Sequence, residues 1–459
     1  MFFRKRGNSI EEKRKKSLDY SVKDASFHAA MVGFGESFFS AFAVFLKATN
    51  LQLALLGSLP LSIGSILQLS SEKLLNFFGS RKKFVAVSVL LQALTYIPIM
   101  LVFLFSTLNV YHIIFFVSLY FIFGMISSTA WSSWMGELVS QDERGYYFSK
   151  RNSIAGFISF FSLLIAGYIL QRFIGNPETQ FKGFVIIFTL ALLFRLMSLV
   201  YLLRKYEPVY RKTKDDDNGF INFLYKAKER DYGILILFLC FMNFSVFIAA
   251  PFFAAYMLYD LKLTYIEYTI VLAGAVISKN ISMPVWGRAI DKYGNRKILT
   301  LAGFLMPLVS LLWLFSEHVI YLVFIQIFSG FIWAGFELST FSSFFDKLMP
   351  NKIPKYVSYS NVLNGIALLI GAFLGGLIVK YNSFFWSKYH AVFLISAFLR
   401  YLVSFIFIPK LREGREVTSV TYPRLLLNLV TGITTRGLVY DVAVFGRKNV
   451  SKFKKRNFP

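Results

Sequence analysis

The sequence predicts an all-α membrane protein of twelve spanning helices, arranged as two related six-helix bundles. Three observations predict it. Apolar stretches of about 20 residues, the length needed to cross roughly 30 Å of hydrocarbon, recur along the whole chain. Lysine and arginine concentrate in alternate connecting segments. Short charged loop sequences also recur in the same order in the two halves.

The composition, 56% hydrophobic and 18% aromatic with a mean hydropathy of +0.56, lies outside the range of soluble domains. Candidate helices lie at about 26–47, 52–71, 84–105, 111–135, 152–173, 182–204, 232–258, 264–286, 298–316, 319–343, 360–380 and 388–409. The first is not a cleavable leader: it follows some twenty-five mostly polar residues, carries Glu36 and is too long for a signal h-region. The expected organisation is a basic tail (1–25), a first bundle (26–204), a charged central loop (205–231), a second bundle (232–409) and a second basic tail (410–459).

A net charge of +25 would suit nucleic acid, but its distribution points to a membrane. If the N-terminus is cytoplasmic, 41 of the 50 lysines and arginines fall in cytoplasmic segments and 6 on the opposite side; Arg195, Lys279 and Arg400 lie within helices. That asymmetry is the positive-inside rule and predicts both termini in the cytoplasm. The basic tails should meet anionic lipid headgroups. Within the C-terminal tail, Pro423 to Val430 reads as a short interfacial helix. Cys240 is the only cysteine, so no disulfide forms within the chain, and four scattered histidines give no zinc-type cluster. No cofactor, metal or nucleic-acid partner is expected, and no soluble segment is long enough for a catalytic domain.

The repeat is clearest in two loops. Gly287-Arg288-Ala289-Ile290-Asp291-Lys292-Tyr293-Gly294-Asn295-Arg296-Lys297 separates predicted helices 8 and 9. Shifted back by 215 residues it falls on Glu72 to Lys82, aligning Gly294 with Gly79, Arg296 with Arg81 and Lys297 with Lys82; Asn76 stands where Asp291 would, and Glu72 where Gly287 would. Gly294 and Gly79 should supply a positive φ, and Gly287 a close backbone approach. Leu138-Val139-Ser140 parallels Leu348-Met349-Pro350, Asn152 and Gly156 parallel Asn361 and Gly365, and Arg195 parallels Arg400.

The spacing G-x-x-x-D-K-x-G-x-R-K resembles the loop signature of the major facilitator superfamily, found between helices 2 and 3 and again between helices 8 and 9. The resemblance covers roughly residues 26–409. Glu137 and Arg144, with six residues between them, are similar to an element of the 4–5 loop in sugar porters and their relatives. The glycine-proline motif of the family's drug/proton antiporters is missing from helix 5, which reads Ala155-Gly156-Phe157-Ile158-Ser159. The resemblance implies two rocking halves around a central substrate site, lined by helices 1, 4, 7 and 10. It also implies a latch on the cytoplasmic side, with Asp291 accepting hydrogen bonds from the start of helix 11 and Glu137 and Arg144 serving the first half.

Ionisable residues inside spans are costly, so each is a candidate for function. Glu36 lies near the middle of helix 1 on a small, polar face (Ala29, Gly33, Ser40, Ala43), opposite a face of Phe34, Phe38, Phe42 and Phe45 suited to lipid. Lys279 on helix 8 and Glu337 on helix 10 lie at comparable depth, which allows an ion pair. The repeat places Phe247, Gly64 and Ser127 opposite these three charges, and packing needs of a duplicated fold should appear twice, so the asymmetry favours function. Arg195 and Arg400 are duplicated and read as snorkelling to the interface. Trp131 and Trp134 on helix 4 and Trp333 on helix 10 could form an aromatic wall, with ordinary packing as the bland alternative. Asn243 on helix 7 completes the candidates. Pro251 and Pro284 should kink helices 7 and 8.

The expected function is secondary or facilitated transport of a small solute by a monomer in the plasma membrane. No nucleotide-binding loop is present, so ATP is not the direct energy source; proton coupling through Glu36 or Glu337 is the natural mechanism, and uniport would need neither group. The rivals are a lipid scramblase or a non-transporting receptor on the same scaffold, and, less favoured, a membrane transferase using Glu137, Asp142 and Glu143.

Overall fold

The computed structural model describes residues 2–102, 109–140, 144–209, 220, 231–347, 353–382, 387–414, 417–418 and 420–434. Among these, twelve helices are long and apolar enough to span a bilayer: α1 (Glu11–Phe45), α2 (Asn50–Phe78), α3 (Arg81–Leu101), α4 (Val110–Leu138), α5 (Tyr147–Arg172), α6 (Pro177–Leu203), α7 (Tyr232–Asp260), α8 (Tyr265–Tyr293), α9 (Asn295–Leu312), α10 (Val319–Phe344), α11 (Tyr356–Tyr381) and α12 (Lys388–Lys410). A shorter helix, α13 (Tyr422–Thr434), follows. Twelve spans place both ends of the bundle on one face, the terminal face; the opposite one is the distal face. Most of the central loop, Leu348 to Pro350 and the basic stretch beyond residue 434 lie outside the described residues.

The packing repeats. In the first half α1 packs on α5 and α6, α2 on α4, and α3 on α4 and α6. In the second, α7 packs on α11 and α12, α8 on α10, and α9 on α10 and α12. The halves meet where α2 crosses α11 and α5 crosses α8. Glycines permit both crossings. A Cβ at Gly156 would overlap the Asn280 side chain, and one at Gly365 the Ser65 hydroxyl; Ser65 and Asn280 are themselves separated by the repeat of 215.

On the distal face, helices start at side-chain caps. Thr49 with Gln52, Asn109 with His112, and Thr264 with Glu267 form reciprocal capping pairs, and Asn176 caps α6 ahead of Pro177. These occupy backbone N–H groups that a helix start leaves without partners. The halves are tied together on this face. Tyr259 Oη donates to the Val44 carbonyl (2.7 Å), Tyr389 Oη to Asn50 Oδ1 (3.1 Å) and Gln180 Nε2 to Tyr265 Oη (2.8 Å).

Helices α1 and α7 are interrupted at matching positions. The α-helix that enters α1 ends at Phe34, Glu36–Phe38 form a 3-10 turn, and helix resumes at Phe39. In α7 the helix ends at Phe247 and a 3-10 turn follows at Ala250–Phe252, where Pro251 cannot donate. Pro284, by contrast, lies within the unbroken α8. The break corrects the expected lipid face of α1. Phe34, Phe38 and Phe42 are all buried: Phe34 packs on Phe194 and Phe42 on Phe184 and Phe188 of α6, and Phe38 on Tyr268 of α8. A single helical wheel misassigns faces when the helix is unwound midway.

The helix leading into α1 also begins at Phe2, so the stretch read as a tail is helical. Its Ser17, Ser21 and Asp24 are buried.

Candidate functional site

Glu36 sits at the unwound centre of α1. Tyr120 Oη, from α4, donates to Glu36 Oε2 at 2.7 Å. Tyr120 is fixed by an edge-on contact with Tyr96 (5.6 Å) and by Phe39 (5.3 Å). Glu36 itself is only partly buried, and Tyr120 is its one hydrogen-bond partner among the described residues. The 3-10 turn therefore presents a carboxylate with one oxygen engaged and one available.

Lys279 of α8 and Glu337 of α10 form an ion pair, Nζ to Oε1 at 2.7 Å and to Oε2 at 2.6 Å. Their side chains are 35% and 44% exposed, so the pair is hydrated and well screened, unlike a charge pair sealed in a core. Asn243 on α7 is partly exposed and makes no hydrogen bond among the described residues.

The tryptophans do not form the expected wall. The Arg151 guanidinium covers the Trp131 ring at 4.5 Å, and Phe148 meets it edge-on at 6.4 Å. Trp134 is fully buried and donates to the Tyr206 carbonyl (2.9 Å). Trp333 packs edge-on against Phe336 (5.8 Å). The α4 tryptophans hold the terminal end of the first bundle together.

The two repeated loops sit on the terminal face. Gly79 (φ 63°) and Gly294 (φ 87°) both take the positive φ expected of them. After Gly79, Ser80 caps α3. Glu207, from the segment after α6, accepts from Ser80 Oγ (2.7 Å) and from the backbone N–H groups of Arg81 (2.6 Å) and Lys82 (3.2 Å). A carboxylate there faces the positive end of α3. The second half copies this: Glu413, after α12, accepts from the Arg296 N–H at the start of α9 (2.9 Å). Arg81, 1% exposed, forks onto Glu137 (2.8 and 2.9 Å), so Glu137 is latched to the 2–3 loop. The side chains of Arg144 and of residues 353–355, at the start of the helix that becomes α11, lie outside the described residues. In the 8–9 loop Asp291, Lys292 and Arg296 are exposed and Lys297 is partly buried. The close approach expected at Gly287 is not found: a Cβ there would meet only Leu338 Cδ2, at an ordinary 3.6 Å.

The comparisons with known proteins bear on this architecture. The family model of the Major Facilitator Superfamily matches residues 233–445, the half with the intact loop motif. In that half, just under half of the chain, the sequence is similar to the major facilitator superfamily. Among curated proteins it is similar to the multi-drug resistance efflux pump PmrA of Streptococcus pneumoniae, 26% identical over 178 residues, which are 35% of this chain and 42% of that relative. The match thus spans less than half of the relative's length. Among solved structures it is similar to a D-xylose-proton symporter (TM-score 0.67, 14% identity, 89% of this chain and 100% of that one). It is also similar to the nucleoside transporter NupG (0.60, 14%, 86% and 98%) and to a bacterial homologue of the iron transporter ferroportin in an inward-facing state (0.61, 15%, 87% and 98%).

The chain also holds a buried polar network that its sequence does not announce. Arg195 is 6% exposed. It donates to His28 Nδ1 (2.8 Å), Ser198 Oγ (3.2 Å) and Gln92 Oε1. A guanidinium can only donate, so His28 Nδ1 accepts and the ring's proton lies on Nε2. Ser198 Oγ donates to Asp24 Oδ1, and Lys205 Nζ to Asp24 Oδ2, both at 2.7 Å. Lys205 is wholly buried, and burial pulls its ammonium below the usual lysine range while Asp24 opposes the shift. Arg400 is likewise buried, at 3%, and donates to the Met306 carbonyl (3.3 Å). Neither arginine snorkels, because each faces the bundle interior. The available signal was the spacing of Asp24 and His28, four residues apart on one helix face.

Proposed function

We propose that this protein moves a small solute across a membrane by alternating access, its two halves rocking about a site near the bilayer centre. The observation that carries the reading is the set of partly exposed charges within spans of both halves: Glu36 on α1, and Lys279 with Glu337 on α8 and α10. Charges left accessible inside spans serve a polar pathway more readily than packing. Asn243 and Trp333 complete the proposed lining.

The distal closure through Tyr259, Tyr389 and Gln180 is then the gate shut in this state, and the site opens toward the terminal face. The Lys and Arg distribution supports a cytoplasmic terminal face, with the protein a monomer in the plasma membrane and its basic tails against anionic headgroups. Glu36 is the proposed proton carrier: the Tyr120 hydroxyl donates to its carboxylate when charged and can turn to accept when it is protonated. The loops Gly79–Lys82 and Gly294–Lys297, with Asp291, Glu137 and Arg144, are the proposed cytoplasmic gate.

Proteins named for drugs, nucleosides and sugars are similar to this chain, so the test is a thermal-shift screen of the purified protein across those classes and organic anions. A ligand at a hundredfold excess over its Kd stabilises the folded state by about 2.7 kcal/mol. A hit should be taken up by proteoliposomes, and Lys279→Ala should weaken its binding. Phospholipid scrambling with no solute flux would replace this reading with a lipid-handling one.

A further inference from the structure

The segment after α12 folds back onto the 8–9 loop. Besides the Glu413 contact, Thr418 N–H donates to the Lys292 carbonyl (3.1 Å) and Asn428 Nδ2 to Tyr293 Oη (3.1 Å). Helix α13 buries Leu425 (0% exposed) and Leu429 (2%) in an apolar cluster with Trp286, Ile290 and Tyr293. The turn from Lys292 to Gly294 is thereby held by hydrogen bonds before α13 and by side chains along it.

Apolar side chains also stay exposed along α13. Tyr422 is 45%, Leu426 37% and Leu427 61% exposed, and Arg424 is exposed beside them. The helix rests on the terminal ends of α8 to α10, helices long and apolar enough to span a bilayer. Residues 410–459 carry eleven lysines and arginines against three acidic residues, Glu413, Glu416 and Asp441.

We propose that the outer face of α13 docks on anionic lipid of the adjacent leaflet, and that this docking sets how firmly the tail clamps the 8–9 loop. The chemistry is complementary on both counts: aromatic and leucine side chains enter the headgroup boundary, and each nearby basic residue adds about 1 kcal/mol against an anionic surface. The loop's role as a gate rests on the transport reading above; the docking and the clamp do not.

The test places the full chain in nanodiscs of phosphatidylcholine, with or without phosphatidylglycerol. One readout is hydrogen exchange of the stretch 287–297. The other is the depth of a spin label at Leu427→Cys in a Cys240→Ser background. Anionic nanodiscs should bury the label and slow exchange of the loop about tenfold, an effect that one or two basic residues at the surface can supply. Leu427→Glu should abolish the lipid difference. A chain ending at residue 419 should exchange quickly in both lipids. Equal exchange in both lipids would falsify the proposal, and so would a label left in water. A label immobilised in proportion to protein concentration would overturn it in favour of contact between copies. Neither readout uses a transported solute, so a failure of the transport reading leaves these results interpretable.

Discussion

The two halves share a backbone plan and differ in their charges. Both break their first helix at mid-span, both place a glycine where they cross the opposite half, and both close their charged loop with a carboxylate after the sixth helix, Glu207 in one and Glu413 in the other. The difference begins one layer inside. The first half surrounds Arg195 with His28, Gln92 and Ser198, and ties Asp24 to Lys205. The repeat sets Leu235 and Leu239 opposite Asp24 and His28, and both leucines are buried. Arg400 instead serves the backbone of α9. Pro307 has no N–H for the Gly303 carbonyl, which accepts from Ser404 Oγ (2.9 Å), while Arg400 takes the Met306 carbonyl one residue before the proline. Duplicated positions thus carry geometry. The unduplicated charges either seal one half, as Asp24 and Lys205 do, or stay accessible, as Lys279 and Glu337 do.

The sharpest way to break this contrast is to remove one partner from each ion pair. Lys205→Met strands a buried carboxylate, and thermal unfolding in detergent should show a loss of about 3–5 kcal/mol. The double variant Lys205→Met with Asp24→Asn should recover most of it. Lys279→Met removes a pair that is more than a third exposed, and should cost under about 1 kcal/mol. Equal losses at the two sites would show that the second pair is structural as well.

The crossings test the symmetry itself. Gly156→Ala and Gly365→Ala each drive a Cβ into the opposite half, which should destabilise by about 1–3 kcal/mol. The two losses should be similar if the crossings are equivalent pivots. Glu36→Gln keeps an acceptor for Tyr120 and so should fold normally, yet it should remove the pH dependence of solute flux in proteoliposomes. Flux that keeps its full pH dependence would clear Glu36 of proton coupling.

How much of this was legible in the sequence follows from which signals are local. Twelve spans and the repeat were visible because hydrophobic runs and loop motifs are short-range patterns. The Lys279–Glu337 pair was visible because only two charges lay at that depth in adjoining helices. The faces of α1 were misread because Gly35 and the turn at Glu36 reset the helical phase, and one-dimensional periodicity carries no record of a reset. Asp24 and Lys205 were taken for members of a solvated tail and loop, since a charge just outside an apolar run looks the same whether it meets water or a partner 181 residues away. For Trp131 an aromatic wall and ordinary packing stay equally open in the sequence, because nothing there tells which helix will lay an arginine over it.

The smallest expected effect separates the two loop copies. Gly79 and Gly294 both hold positive φ, so alanine is strained at either, at roughly 1 kcal/mol. Their surroundings differ. A Cβ at Gly79 meets open space, whereas one at Gly294 runs into Glu413 and Val417, the contacts through which the tail holds the loop. Gly79→Ala should therefore lower stability by the backbone strain alone. Gly294→Ala should add displacement of the tail, seen as faster hydrogen exchange across 287–297 and at the start of α9. In a chain ending at residue 411 the added loss at Gly294 should vanish and the two alanine variants should converge. If they stay apart there, the asymmetry between the loops lies in the turns themselves, and the tail has no part in it.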